Sequence, residues 1–240
     1  MKAPGWALTG VTAGSEATAP GSIHIAEVTA GYGGPAVFKR LDLDVDPGQF
    51  VYVVGPSGSG KSTLVKLMHG TLKPQSGSVF VDGIAVNSLR GGQLLKLRRQ
   101  VGHVFQTYEL MPYLSTLENV LLPLQLGHPQ LRDADAYAVD ALELVGLGDK
   151  LKQRPGTLSM GEQQRVAVAR AIAAQPRVLL ADEPTGNLDS GNSAEIVELF
   201  RQLNGMGSTV VMATHDEVML SRYPARAVRL RPRPLLEVAS

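Results

Sequence analysis

Hydrophobic and polar residues alternate in two stretches near the start of the chain, Ile23-His24-Ile25-Ala26-Glu27-Val28 and Leu41-Asp42-Leu43-Asp44-Val45. That period of two predicts half-exposed β-strands. The turn Asp46-Pro47-Gly48-Gln49 leads into Phe50-Val51-Tyr52-Val53-Val54, a continuous apolar run suited to a buried strand. Leu64 to Met68 reads as helix, Lys73 to Gly77 as a turn, and Ser78 to Gly83 as a strand ending in an Asp-Gly hairpin. Helical character follows in Leu94 to Arg99 and in Asp133 to Val145, which places Ala138, Leu142 and Val145 on one face. Val166 to Ala174 is a strong helix former. Arg177 to Ala181 and Thr209 to Ala213 are again short continuous apolar runs, as expected of parallel strands covered on both faces. Strands alternating with helices predict an α/β fold with a mainly parallel sheet, and the helical middle, about 91–158, reads as an inserted lobe. Residues 1–21 are rich in Ala, Gly, Thr, Ser and Pro without periodicity and read as a mobile tail.

Composition narrows the class. A chain of 240 residues with 44% hydrophobic and 19% charged residues is an ordinary globular protein with a full core. A formal charge of +1 supplies no general attraction to nucleic acid or anionic lipid. The absence of cysteine excludes disulfides and thiolate metal sites. No apolar run is long enough to cross a bilayer, and the amino terminus is a poor signal peptide, so the expected address is the cytoplasm.

Chemistry enters at Gly55-Pro56-Ser57-Gly58-Ser59-Gly60-Lys61-Ser62-Thr63, a complete G-x-x-x-x-G-K-S/T phosphate loop between a predicted strand and a predicted helix. In that setting backbone N–H groups turn inward to hold an anion at a helix N-terminus. Lys61 can reach the β- and γ-phosphates, and the Ser62 hydroxyl can ligate Mg²⁺. The strand from Arg177 ends in Asp182-Glu183, where one carboxylate can hold the Mg²⁺ shell and the next can act as general base toward water. Leu158-Ser159-Met160-Gly161-Glu162-Gln163-Gln164-Arg165 opens the Val166 helix. Ser159 and Glu162 have capping-box spacing, and a helix so capped aims free amides at an anion.

The phosphate loop, Gln106, Leu158 to Arg165, Leu179 to Glu183, Asn187-Leu188-Asp189 and His215 stand in the order seen in ABC-type ATPase cassettes, which the chain resembles from about Ile23 to Leu230. The resemblance implies a P-loop NTPase (RecA-like) core with an antiparallel β subdomain and the helical lobe. It places the ATPase domain at 22–235 and a short tail at 236–240. It implies two chains facing head to tail around two ATP, with Ser159, Gly161 and Glu162 of one chain covering the γ-phosphate held by the other. Gln106 would watch Mg²⁺ and the attacking water, His215 would contact the γ-phosphate and steady Glu183, Asp189 would lie at the dimer seam, and Tyr32 would stack on adenine. His24, His69, His103 and His128 are expected to be capping or buried residues.

The strings Glu162 to Arg165, Leu180 to Asp189, Met212 to Asp216, Phe105 to Pro112 and Leu117 to Leu124 are similar to the lipoprotein-release, macrolide-export and FtsE-type cell-division branch. That branch implies a separate integral membrane partner, a place on the inner face of the cell membrane, and no nucleic-acid partner. The exposed contact segment is expected between Gln106 and Pro123, with Tyr108, Leu110, Met111, Tyr113 and Leu114 offered to the partner. Two departures stand out. Met160 replaces the first glycine of the family's signature, and the C-terminal Leu230 to Leu235 lacks the usual closing Asp-Gly hairpin.

Overall fold

The computed structural model describes residues 19–231. In chain order it contains β1 (Ile23–Ala30), β2 (Phe38–Val45), β3 (Phe50–Val54), α1 (Lys61–Met68), β4 (Ser76–Val81), β5 (Ile84–Ala85), α2 (Gly92–Gln100), β6 (Val101–Val104), α3 (Thr116–Gly127), α4 (Ala134–Leu144), α5 (Met160–Ile172), β7 (Val178–Asp182), α6 (Ser190–Gly205), β8 (Thr209–Thr214), α7 (Glu217–Arg222) and β9 (Arg226–Arg229). A five-stranded parallel sheet has the order β6-β7-β8-β3-β9, and an antiparallel sheet has the order β2-β1-β4-β5.

The apolar runs form the central strands because both of their faces are covered. Alternate residues feed two cores. Tyr52, Val54, Leu179, Ala181, Val210 and Met212 face a layer built from α3 to α6. Val51, Val53, Val178, Leu180, Val211 and Ala213 face α1 and the antiparallel sheet. Each large aliphatic side chain so buried contributes roughly 1.5–3 kcal/mol relative to exposure.

Several boundaries differ from the sequence reading. β6 lies inside the stretch expected to be a helical lobe, yet it pairs with β7 in the parallel sheet, Val101 opposite Val178 and Val104 opposite Ala181. The helices after it, α3 and α4, form the helical part. The expected tail ends sooner than 21: residues 1–18 lie outside the described residues, but the Gly21 amide donates to Asp82 and the buried Thr209 hydroxyl donates to the Gly21 carbonyl. The C-terminal segment beyond Arg231 also lies outside the described residues, and β9 closes the sheet beside β3.

Candidate nucleotide site and family membership

The parallel strands end level with one another, Val54 opposite Thr214 and Asp182 opposite Ala213. Everything chemical gathers beyond their carboxyl ends, where open α/β sheets bind ligands. The phosphate loop leaves β3 and turns into α1 at Gly60, whose φ of 103° is left-handed and whose Cβ position would lie 2.8 Å from the Phe38 ring. Only glycine fits there. Inside the loop Lys61 is 6% exposed, and its ammonium donates to the carbonyls of Gly55 at 2.8 Å and Pro56 at 3.3 Å and lies 3.1 Å from Glu183.

Glu183 comes directly after β7 with φ of 51°, a left-handed conformation that is uncommon for a side-chain-bearing residue. Its amide donates to the Ala213 carbonyl, and this bond holds the turn. One carboxylate oxygen faces Lys61; the other lies 2.5 Å from His215 Nδ1. Backbone strain of this kind persists where neighbouring structure enforces it, often at working residues. The Ser62 hydroxyl donates to Asp182 at 3.0 Å. Burial pushes the Asp182 carboxyl up from its ordinary value; the Ser62 bond opposes the rise and the adjacent Glu183 adds to it. A hydroxyl beside a carboxylate is a pair of hard oxygen donors that fits Mg²⁺ shared with phosphate oxygens. The Ser59 hydroxyl of the same loop is buried without a protein partner, a polar group that a bound anion would satisfy.

Gln106 lies two residues beyond the Val104–Ala181 pair, at the same edge as Glu183, and is exposed. Tyr32 stands at the rim, 61% exposed, its hydroxyl 3.3 Å from the Thr63 hydroxyl and its ring 5.7 Å from the Lys66 ammonium. The structure thus gathers Lys61, Ser62, Asp182, Glu183 and His215 into direct contact, with Gln106 and Tyr32 at the margins.

The Ser159 turn stands apart. Ser159 caps α5: its hydroxyl accepts from the Glu162 amide, and the Glu162 carboxylate accepts from the Ser159 amide at 2.8 Å. Ser159 and Met160 are exposed, and among the described residues neither Ser159 nor Glu162 bonds to the phosphate loop or its carboxylates. Gly161 is buried, and a Cβ there would lie 2.3 Å from Asn192 Oδ1. Asn192 in turn is fixed by Asp189, the N-cap of α6, through its amide at 2.9 Å and its side chain at 2.6 Å. Asp189 and the Ser159 turn therefore share one exposed edge. Sequence reasoning missed Asn192 and also Lys150, which pairs with Glu162. Neither carries a local motif.

The family model for the ABC transporter matches residues 38–186, more than half of the chain. The chain belongs to the ABC transporter ATP-binding family. It is 42% identical over 82% of its length to the lipoprotein-releasing system ATP-binding protein LolD of Bacteroides fragilis, covering 92% of that protein. It is 40% identical over 82% of its length to the cell division ATP-binding protein FtsE of Streptococcus pneumoniae, covering 86% of it. Among solved structures it is similar to the dimeric bacterial ABC transporter cassette MJ0796, with a TM-score of 0.79, 38% identity and coverage of 87% of this chain and 94% of that one. A post-hydrolysis state of the same cassette bound to ADP and Pi also has a TM-score of 0.79. As an ABC cassette the chain is a nucleotide-binding ATPase subunit. Among its described residues no helix is long and apolar enough to cross a membrane.

Proposed function

We propose that two copies of this chain close head to tail on two ATP and drive a separate membrane partner on the inner face of the cell membrane, most simply to export or extract a lipid-like, lipoprotein, peptide or drug substrate. The observation that carries this reading is the split site. The residues proposed to hold phosphate sit beyond β3, β7 and β8, whereas the capped turn that opens α5 is exposed at Ser159 and Met160 and, among the described residues, Ser159 and Glu162 make no hydrogen bond to their own phosphate loop. A second copy supplies the missing partner, and the dimeric relative supports that arrangement.

In this reading Lys61 exchanges its Glu183 contact for the β- and γ-phosphates. Glu183, still held by His215, is then free to take the proton of the attacking water as its oxygen bonds to the γ-phosphorus and the bond to the β,γ-bridging oxygen breaks, leaving ADP and phosphate. Ser62, Asp182 and Gln106 would hold Mg²⁺, which supplies charge neutralisation at the phosphate oxygens when bound. The Ser159 hydroxyl and the Gly161 amide, with Glu162 behind them, stabilise the γ-phosphate of the opposite chain. Tyr32 stacks on adenine, and Asp189 lines the seam. Hydrolysis releases the closed pair.

The similarity to FtsE favours one alternative, a regulator of cell-wall remodelling that acts through its membrane partner without transport. Capture from native membranes with Glu183→Gln and ATP tests both. A membrane subunit that brings a lipid, lipoprotein, peptide or drug cargo supports the transporter. A membrane partner that brings cell-wall hydrolases supports the regulator. Recovery of no membrane protein overturns both.

A further inference from the structure

Glu162 carries two duties with one carboxylate. Oε2 accepts from the Ser159 amide and closes the cap of α5, while Oε1 accepts from the Lys150 ammonium. The carboxylate is 17% exposed and Lys150 27% exposed, so water screens the pair only partly. Lys150 is delivered by a stiff loop. Its amide donates to Leu147, Gln153 donates back to its carbonyl, and the same loop accepts from the Leu117 amide at Leu151 and from the Thr116 amide at Gln153. The buried Leu147 anchors the loop in the core. The ammonium therefore reaches Glu162 from a fixed frame made by α3 and α4, and a flexible surface lysine would not.

We propose that Lys150 is a positioning residue for the in-trans ATP-binding turn: it holds the Glu162 carboxylate where it keeps the Ser159 turn open toward the second chain's ATP. This rests on the head-to-tail reading above. The lysine side chain draws the carboxylate well down, to about 2, with the Ser159 amide as the next contributor. Once the ammonium is lost, one oxygen of a half-buried carboxylate must turn to water, and the bond to the Ser159 amide competes with that demand. The cost appears when the turn has to fit phosphate, so it belongs to dimer closure and leaves the chain's own phosphate loop untouched.

The test measures the ATP-dependent monomer–dimer equilibrium by sedimentation in a Glu183→Gln background, beside the affinity of the isolated chain for a fluorescent ATP analogue. Lys150→Met is expected to weaken dimerisation by about 10-fold, the scale of one charge-assisted hydrogen bond, with analogue affinity unchanged. Lys150→Arg is expected to restore most of the loss. In a Glu162→Gln background, where the amide still caps but the charge is gone, Lys150→Met should cost little more, and that cycle still reads the pair if the single variant folds poorly. Unchanged dimerisation in Lys150→Met, equal loss in the Arg and Met variants, or full additivity with Glu162→Gln overturns the proposal. Ser159→Arg separates the two readings. If it blocks dimerisation while Lys150→Met does not, the positioning role alone fails. If it dimerises like its parent, the in-trans site fails and the role of Lys150 fails with it.

Discussion

The Lys61 ammonium has three protons and holds three oxygens: two loop carbonyls and Glu183. A phosphate can enter only by displacing one of them, and the carboxylate is the one that can leave without unmaking the loop. Glu183→Gln is therefore expected to cut ATP turnover by roughly 10²–10⁴-fold, the scale of a positioned general base, while ATP affinity holds or rises because a competing charge is gone. Lys61→Ala is expected to lower that affinity by about 10- to 100-fold through loss of a charge-assisted bond. Calorimetric titration with ATP beside a phosphate-release assay checks both; near-normal turnover in Glu183→Gln would refute the base assignment. Each residue of this cluster is legible in the sequence because each sits in a contiguous string. Their pairing is not. The Ser62–Asp182 bond joins residues 120 positions apart, and only the parallel register of β3, β8 and β7 brings them together.

Among the elements, β6 shows where sequence patterning runs out. Val-Gly-His-Val is too short and too interrupted to announce a strand, and it is one only because β7 offers an open edge. The same holds for β9, whose Arg-Ala-Val-Arg is polar at both ends and pairs beside β3. The α3 cap repeats the capping box of α5, at Ser115 and Glu118, and is legible by the same spacing. Within β6, the His103 ring lies tilted against Phe105 and His69, with centroids 4.1 Å and 4.6 Å away, and both its ring nitrogens are buried and without a hydrogen-bond partner. Burial holds His103 down at about 3 and His69 at about 4; the neighbouring His69 and Arg170 add to the effect at His103, as Arg98 does at His69. The folded chain thus refuses protons that the unfolded chain accepts near pH 6.5, so stability is full above that pH and falls as pH drops toward 4. At pH 5 a ring kept neutral costs about 2 kcal/mol. His103→Phe, which fits an aromatic ring between His69 and Phe105, should flatten the fall in Tm between pH 7 and 5. An unchanged slope would show that other groups set the acid limit.

For the whole molecule the question is how the proposed closure would reach the proposed membrane partner. On sequence the segment after β6 reads as an exposed surface, yet Tyr108, Leu110, Met111 and Leu114 are half-buried. The cause is a double clamp. From α5, Arg170 donates to the carbonyls of Tyr108 and Glu109, the latter in a left-handed conformation. From α3, the fully buried Asn119 accepts from the Met111 amide and donates to the carbonyls of Met111, Leu114 and Ser115. The segment is a built platform. It joins Gln106 at the nucleotide edge to the helix that carries Ser159, and it presents Tyr113 at 85% exposure. A large aromatic held out on a rigid support suits the core of an interface. The Tyr108 hydroxyl, by contrast, is buried without a partner, so substitution there disturbs packing as well as contact. Tyr113→Ser is the cleaner probe. It is expected to leave the melting temperature and basal ATPase of the isolated chain unchanged and to abolish most of the stimulation by the reconstituted membrane partner. Arg170→Gln, which frees one side of the platform while Tyr113 stays in place, should lower the same stimulation with the contact residue intact. Stimulation that survives Tyr113→Ser would move the contact surface elsewhere on the helical layer, and stimulation lost only with Arg170→Gln would show that the platform's rigidity, and not its exposed ring, carries the signal.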